Sequence, residues 1–532
     1  MFMSITRRDT LRLAAGAAAS IPLAGAVASC SGGGGGGGGG GDNQTEGSTG
    51  RLLQSAADLP EPGTVPLPVP PVLEPVSSDG SEDRYLITQR SGEAEIIPGL
   101  TTEVWGYEGV FPGPTIVSRS GRRTVVEHRN ELPVPVVVHL HGGKTPPEHD
   151  GYPTDLILPR SGWDTRGGHA GDVTEGSRVY EYPLEQAAAT LWYHDHRMDF
   201  TGPQVYKGLA GFHIVHDDEE EALPLPKGDR DVPLMICDRA FDEDGSFLYP
   251  ARSPDLAGEP GVDNQYMSGV LGDAILVNGA PWPYMEVANV RYRLRLLNAS
   301  NARRYELALD PPPEDGASFT QIGSDGGLLG APLGHERIEI APAERFDVVV
   351  DFSAYSVGTE VVLVNGYGEG GTAEVMRFRV TSEATDDTEV PEVLSDFRQL
   401  TRASAATERR VRFSREGRNT HGPGPNLWTI NGETFDPERI DFEIPLDSTE
   451  VWRLTTNVHH PVHLHLVRFQ VLSRNGGEPG PYDAGWKDTI DLGDQEEAEI
   501  IATFSGYPGK YVYHCHNLEH EDMMMMANFG VV

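Results

Sequence analysis

The tripeptide His514-Cys515-His516 constrains this chain more than any other stretch. Tyr511-Val512-Tyr513 leads into it and is aromatic and β-branched, which predicts a strand. Successive strand residues point to opposite faces, so His514 and His516 are expected on one face and Cys515 on the other. The run continues as H-C-H-x3-H-x4-M, through His520 to Met525. Two imidazoles, a thiolate and a thioether are the donor set of a mononuclear blue-copper site. His514 and His516 are surplus to that set and imply a second metal cluster across the strand. The backbone between the two faces is then a short covalent route for electrons.

The pattern recurs three times. Val136-Val137-Val138-His139-Leu140-His141, Leu191-Trp192-Tyr193-His194-Asp195-His196 and His460-Pro461-Val462-His463-Leu464-His465 each carry an H-x-H on a β-rich run. Each pair presents two imidazoles on one face, about 7 Å apart along the strand. Four pairs give eight imidazoles, enough for three coppers. Zinc sites more often show closed Cys/His sets or a carboxylate, whereas imidazole suits copper. A lone H-x-H is usually a core or surface pair. The clustering argues otherwise here, because 11 of the 18 His fall in these four segments if His459, next to His460, is counted. In the run Met523 to Met526 only Met525 is taken as a ligand, on spacing, and its neighbours read as core filling. His128, His149, His169, His213, His216, His335 and His421 are read as non-ligands.

These motifs resemble the multicopper oxidases, and among them the bacterial spore-coat-type laccases and bilirubin oxidase. The strings HLHGG…DGYP, WYHDHRMD, HPVHLHLVRFQVL and YHCHNLEHEDMMM carry the resemblance, which runs from about residue 75 to residue 532. It implies four copper ions. His460, Cys515, His520 and axial Met525 would hold the type 1 copper, and His139 and His463 the type 2 copper. His141, His194, His196, His465, His514 and His516 would hold the type 3 pair. His459 has no place in the pattern; Pro461 directly follows His460, as the family's H-P-x-H-x-H requires.

The resemblance also implies the reaction. Phenolic or arylamine donors give single electrons to the type 1 copper, Cys515 passes them to His514 and His516, and dioxygen is reduced to water at the trinuclear cluster. Asp150 and Glu521 stand where the spore-coat type has acidic residues near the dioxygen path. They are expected as proton donors or relays, the alternative being carboxylates that orient a His. A metallo-oxidase acting on cuprous, ferrous or manganous ions and a bilirubin oxidase are the rival readings. No Met-rich insert precedes the last copper motif, which weighs against a cuprous oxidase. A copper nitrite reductase would not use all ten His, and relatives with structural roles lack the ligands kept here.

The 532 residues suit several domains, and 63 Gly with 41 Pro between strand-like runs predict an all-β protein. The chain repeats itself. Phe111-Pro112-Gly113-Pro114 leads to Thr124-Val125-Val126 and Asn130. Val277-Asn278-Gly279 leads to Tyr292-Arg293-Leu294-Arg295 and Asn298. Ile430-Asn431-Gly432 leads to Val451-Trp452-Arg453-Leu454 and Asn457. The spacing, about 150 to 165 residues, is a domain length. Three consecutive cupredoxin-like Greek-key β-sandwiches are expected, over residues 76–228, 229–395 and 396–532. The middle repeat carries no His or Cys at its candidate positions, Val361 to Gly366 and Arg304 to Leu307, so copper is assigned to the first and third and the trinuclear cluster to the space between them. The middle repeat is expected to act as a spacer and a wall of the substrate cleft.

Residues 1–30 read as a twin-arginine export signal, with Arg7-Arg8 before an apolar run and Val27-Ala28-Ser29-Cys30 resembling a lipobox. Residues 31–75, with ten Gly from Gly32 to Gly41 and then a Pro-rich stretch, read as a flexible linker. A lipid anchor at Cys30 is expected; cleavage after Ala28, releasing a secreted protein, is the alternative. Either way the protein is placed outside the cytoplasm, as a monomer. Of three Cys, Cys237 remains and reads as a buried small hydrophobe, so no disulfide is expected. The net charge of −38 disfavours nucleic acid and anionic membranes as partners. With only five Lys, the surface fits either a high-salt environment or a GC-rich genome. The acidic run Asp217 to Glu221 is read as a solvated face.

Overall fold

Strand dominates the computed structural model, which describes residues 50–160, 163, 171–253, 256, 258–416 and 427–532. The α-helices among these residues are short turns: Thr201–Tyr206, Asp218–Ala222 and Leu518–Asp522. No described helix is long and apolar enough to cross a membrane. Two strand types reflect their sequences. Glu360–Asn365 alternates half-buried and buried positions, as a strand facing one core does. Ala189–Asp195 is buried at every position, including both charged and aromatic residues, because each of its faces packs on protein.

The strands sort into three successive pairs of sheets. In the first, Ser177–Tyr182, Arg123–Asn130, Glu82–Ala94 and Ser77–Ser78 lie side by side. They face a sheet of Gly113–Arg119, Ala210–His216, Ala189–Asp195 and Val138–His141. The second pairs a seven-stranded with a five-stranded sheet. The third pairs two five-stranded sheets. Each sandwich repeats one device, a parallel strand pair in both of its sheets: Glu82–Ala94 with Arg123–Asn130 and Gly113–Arg119 with Ala210–His216 in the first, Thr407–Glu416 with Ser448–Thr456 and Phe442–Ile444 with Met526–Val531 in the third. Parallel partners need a long connection, and this Greek-key wiring recurs in the middle sandwich through Asp231–Arg239 with Arg291–Asn298 and Tyr284–Ala288 with Glu374–Ser382.

Strand order makes Val138–His141, Tyr305–Asp310 and His460–Leu464 equivalent, and likewise Ala189–Asp195, Glu360–Asn365 and Gly509–Cys515. These are the positions at which the middle repeat was read as lacking ligands. The first and second sandwiches share a continuous core, in which Trp192, Phe212 and Ile214 meet Leu234, Leu296 and Val348. The third has its own core, and Cys515 and Met525 are part of it.

Residues 50–75 correct the expectation of a flexible linker from 31 to 75. Arg51–Leu52 pairs in parallel with Val270–Leu271, and Leu53 is buried. Pro66 bridges to Tyr284 and Val72 to Thr115. Proline is tolerated at sheet edges because an edge strand asks for few N–H donors. The strap uses the N–H groups between its prolines, Leu67 to Tyr284 and Leu73 to Thr115, each at 2.8 Å. It covers two edges that would otherwise stand open. Residues 1–49, which hold the expected export signal, Cys30 and the glycine run, lie outside the described residues.

The acidic run is exposed at Asp218, Glu219 and Glu221, as read, and departs from that reading at Glu220. Glu220 is buried and binds His216 Nδ1 at 2.8 Å and the Arg293 guanidinium of the middle sandwich. Burial by itself would raise its pKa; the His216 hydrogen bond and the Arg293 and Arg295 charges outweigh this and hold the carboxyl well below the usual range. Asp217 caps the helix by accepting from Glu220 N. Cys237 is buried, as expected.

Candidate metal centre

In the first sandwich Val138–His141 runs antiparallel to Ala189–Asp195, with His139 opposite His194 and His141 opposite Trp192. In the third, His460–Leu464 runs antiparallel to Gly509–Cys515, with His463 opposite His514. The two sandwiches meet ring on ring: His139 stacks on His465 at 3.8 Å and His141 on His463 at 3.7 Å between centroids. Within each H-x-H the rings lie 5.0–5.8 Å apart. That is closer than the spacing along the strand, because the side chains lean together.

Eight buried imidazoles thus converge from chain positions as far apart as 139 and 516. They sort into His141, His194 and His516; His196, His465 and His514; and His139 with His463, near His141. Within each group the potential ligand atoms lie within 4.8 Å of one another. His514 and His516 fall into different groups, and Cys515 between them faces away. Cys515 Sγ lies 3.4 Å from His460 Nδ1 and 3.5 Å from His520 Nδ1, and the two nitrogens are 3.2 Å apart. Trp428 stacks on the His520 ring at 3.6 Å. Met525 is fully buried in the same core, and its carbonyl accepts from Cys515 N at 3.1 Å.

The ring nitrogens test whether metal suits these groups. His139, His194 and His463 each donate Nδ1–H to a backbone carbonyl, of Asp150, Asp195 and Asp488 at 2.5, 2.8 and 2.9 Å. A carbonyl only accepts, so Nδ1 carries the proton and Nε2 a bare lone pair. Those three Nε2 atoms are buried without a hydrogen-bond partner. His141 is turned the other way: Nε2 faces the Asp488 carboxylate at 3.0 Å, and Nδ1 has no partner. His465 and His514 spend Nδ1 on Asp150 Oδ2 and on the Cys515 carbonyl. The His514 Nε2 is then a bare lone pair, which faces His465 Nε2 and His196 Nε2 at 3.3 Å each. Buried lone pairs that converge in this way repel one another unless a cation lies among them. Burial, first among the causes, also drives His139, His141, His463, His465 and His516 well below the ordinary imidazole range, and His194 and His460 to about 3. They are neutral, the form that ligates. Burial pushes the Cys515 thiol well up, so a thiolate there needs a bound cation. The donor sets fit copper: nitrogen groups of three, and a trio of two imidazole nitrogens and one sulfur with a buried thioether nearby.

Both predicted carboxylates lie at this cluster. Asp150 Oδ2 lies 2.7 Å from His465 Nδ1, and burial raises its carboxyl to about 8. Glu521 Oε1 accepts from Thr201 Oγ1 at 2.6 Å and lies 3.3 Å from His196 Nδ1, while its Oε2 is 3.3 Å from His514 Nδ1. His459 pairs instead with Asp491. Among the His read as non-ligands, His128 meets Gln89, His213 meets Ser118 and His335 meets Gln321; His169 and His421 lie outside the described residues.

Sequence reasoning missed Asp488, Trp428, Asp522 and Glu519. Asp522 accepts from Thr201 N and Gly202 N at 2.7 and 2.9 Å, docking the turn that carries His520 onto the first sandwich. Glu519 accepts from Asn301, Tyr249 and Val270 N, docking it onto the second. Both stand within two residues of His520, but nothing in the sequence pattern marks them as buried. Asp488 has no spacing signal at all.

Residues 89–167 with 169–220, and residues 408–532, match family descriptions that read multicopper oxidase. A laccase of Bacillus subtilis is 37% identical over 518 residues, covering 87% of this chain and 97% of its own. The chain belongs to the multicopper oxidase family. A bilirubin oxidase of Albifimbria verrucaria is 34% identical, over 92% of this chain and 85% of its own. A laccase structure from Pediococcus acidilactici superposes with a TM-score of 0.76 at 32% identity, covering 90% of this chain and 96% of that one. As a multicopper oxidase of the laccase-like kind, this enzyme uses four coppers, one type 1, one type 2 and two type 3, and couples oxidation of a reductant to reduction of dioxygen.

Proposed function

We propose that this multicopper oxidase takes phenolic or arylamine donors, with type 1 copper on His460, Cys515, His520 and Met525. In this reading His139 and His463 hold the type 2 copper, and the two His triads hold the type 3 pair. The observation that carries it is the split of one tripeptide: Cys515 sits with His460 and His520, while His514 and His516 enter separate triads. Copper, when bound, supplies the one-electron couple and a charge that polarises dioxygen. The chain does the rest. Buried imidazoles exclude water and hold fixed tautomers, and the Cys515 backbone links the two centres. Asp150 Oδ2 at His465 and Glu521 Oε1 at the Thr201 hydroxyl are placed to store and pass protons.

The donor class follows the laccase likeness and the lack of a Met-rich insert. Oxidation rates of the copper-loaded enzyme for a phenol, bilirubin, cuprous and ferrous ions test it: the phenol should be turned over fastest, and faster cuprous or ferrous turnover would overturn the donor class. Export by the twin-arginine route, lipid attachment at Cys30, an extracytoplasmic location and a monomeric state complete the proposal. Radiolabelled-lipid incorporation, lost in Cys30→Ala, tests the anchor.

A further inference from the structure

The middle sandwich supplies none of the clustered imidazoles, yet one of its side chains reaches the trinuclear group. Arg345 is fully buried and has five N–H donors, each with an acceptor. Nε donates to Thr190 O of the first sandwich at 3.0 Å. Nη1 donates to Ala343 O at 2.9 Å and Nη2 to Asp325 O at 3.0 Å, both within the second. The two remaining bonds, Nη1 to Oδ1 at 2.7 Å and Nη2 to Oδ2 at 2.5 Å, form a fork on Asp488 of the third. One guanidinium therefore spans all three sandwiches and is saturated.

Asp488 touches two of the expected ligands. Its Oδ1 meets His141 Nε2 at 3.0 Å, and its carbonyl accepts from His463 Nδ1 at 2.9 Å. The carboxylate contact is what turns His141 against the other imidazoles, leaving Nδ1 toward the cluster. Gly142, next in the chain, records how closely these groups pack. Its φ is +84°, and a Cβ there would come within 2.7 Å of Arg345 Nη2 and 2.9 Å of Asp488 Oδ2.

We propose that Arg345 is a positioning residue for the trinuclear centre, acting through Asp488 on His141 and His463. This rests on the ligand assignment above. A lysine has three donors and no planar fork, so Arg345→Lys keeps the charge but loses the two-point grip on Asp488. The expected result is a changed type 2 electron paramagnetic resonance pattern and reoxidation by dioxygen slowed about 10- to 100-fold, with the blue type 1 band unmoved. Arg293→Lys is the control for losing a buried arginine, since Arg293 pairs with Glu220 and Asp347 instead. It should lower the unfolding temperature and leave the type 2 pattern as it was. If Arg345→Lys does not fold, Asp488→Asn breaks the same fork with no change in volume and should shift the same pattern. An unchanged type 2 pattern and reoxidation rate in the folded variant would overturn the proposal, as would an equal shift in Arg293→Lys. Absence of type 1 and type 2 signals from the unaltered, copper-loaded enzyme would instead refute the ligand assignment.

Discussion

The first and third sandwiches place an H-x-H tripeptide on equivalent strands, His194-Asp195-His196 and His514-Cys515-His516, and differ in the residue between. In both, the two imidazoles go to separate triads and the middle side chain faces away. Asp195 uses that opposite face for anchorage. Its Oδ2 accepts from Val137 N at 2.9 Å, and its Oδ1 accepts from Arg197 N at 3.2 Å and from the Gln204 amide. Cys515 uses it to join two imidazoles in a trio that could hold a metal ion. Leu140 and Leu464, between the other two pairs, simply fill the core. One backbone geometry thus serves as anchor, packing or, on the proposed ligand assignment, electron entry, according to a single side chain.

Four substitutions sharpen this contrast. Cys515→Ser should abolish the blue absorption, and persistence of that band would contradict the assignment of sulfur to the type 1 copper. Glu521→Gln should slow turnover about 100-fold while the blue colour remains; an unaltered rate would leave Glu521 as an orienting group only. Asp195→Ala strands buried donors and should lower stability by about 3 kcal/mol, read from thermal unfolding, with the blue band intact. A loss of colour there would mean that the two tripeptides are not separable in function. Met525→Leu should produce the smallest change, a raised type 1 potential with copper retained, measured by redox titration; bleaching would point to a different axial residue among the neighbouring methionines.

Much of this was legible because the decisive residues repeat a local pattern. Strand periodicity gave the faces of His514, Cys515 and His516, and the turn residues Asn278 and Asn431 take the left-handed conformation their Asn-Gly sequences suggest, with φ of 50° and 56°. Asn130 and Asn298 close the ends of equivalent strands with the same pair of side-chain-to-carbonyl bonds. Asn457 does not follow them; it pairs with Arg415 across strands. The less legible features were long-range. Asp488 and Arg345 meet across 143 residues, and no periodicity encodes a fork between two sandwiches. Nor did composition distinguish the Pro-rich strap from a free tether, since its binding depends on which N–H groups meet an open edge. Glu220 escaped for the same reason, its partners being arginines 73 and 75 residues away.

The strap has a practical corollary. Its first described residue, Gly50, lies against Gly269 and Leu271, and Ser268 O in that loop accepts from Asn517 Nδ2 at 3.2 Å, while Asn517 N approaches Cys515 Sγ at 3.4 Å. A conductive surface or redox dye tethered just upstream of Gly50 would therefore dock within a few residues of the sulfur, giving bioelectrode builders a genetically encoded way to aim the molecule.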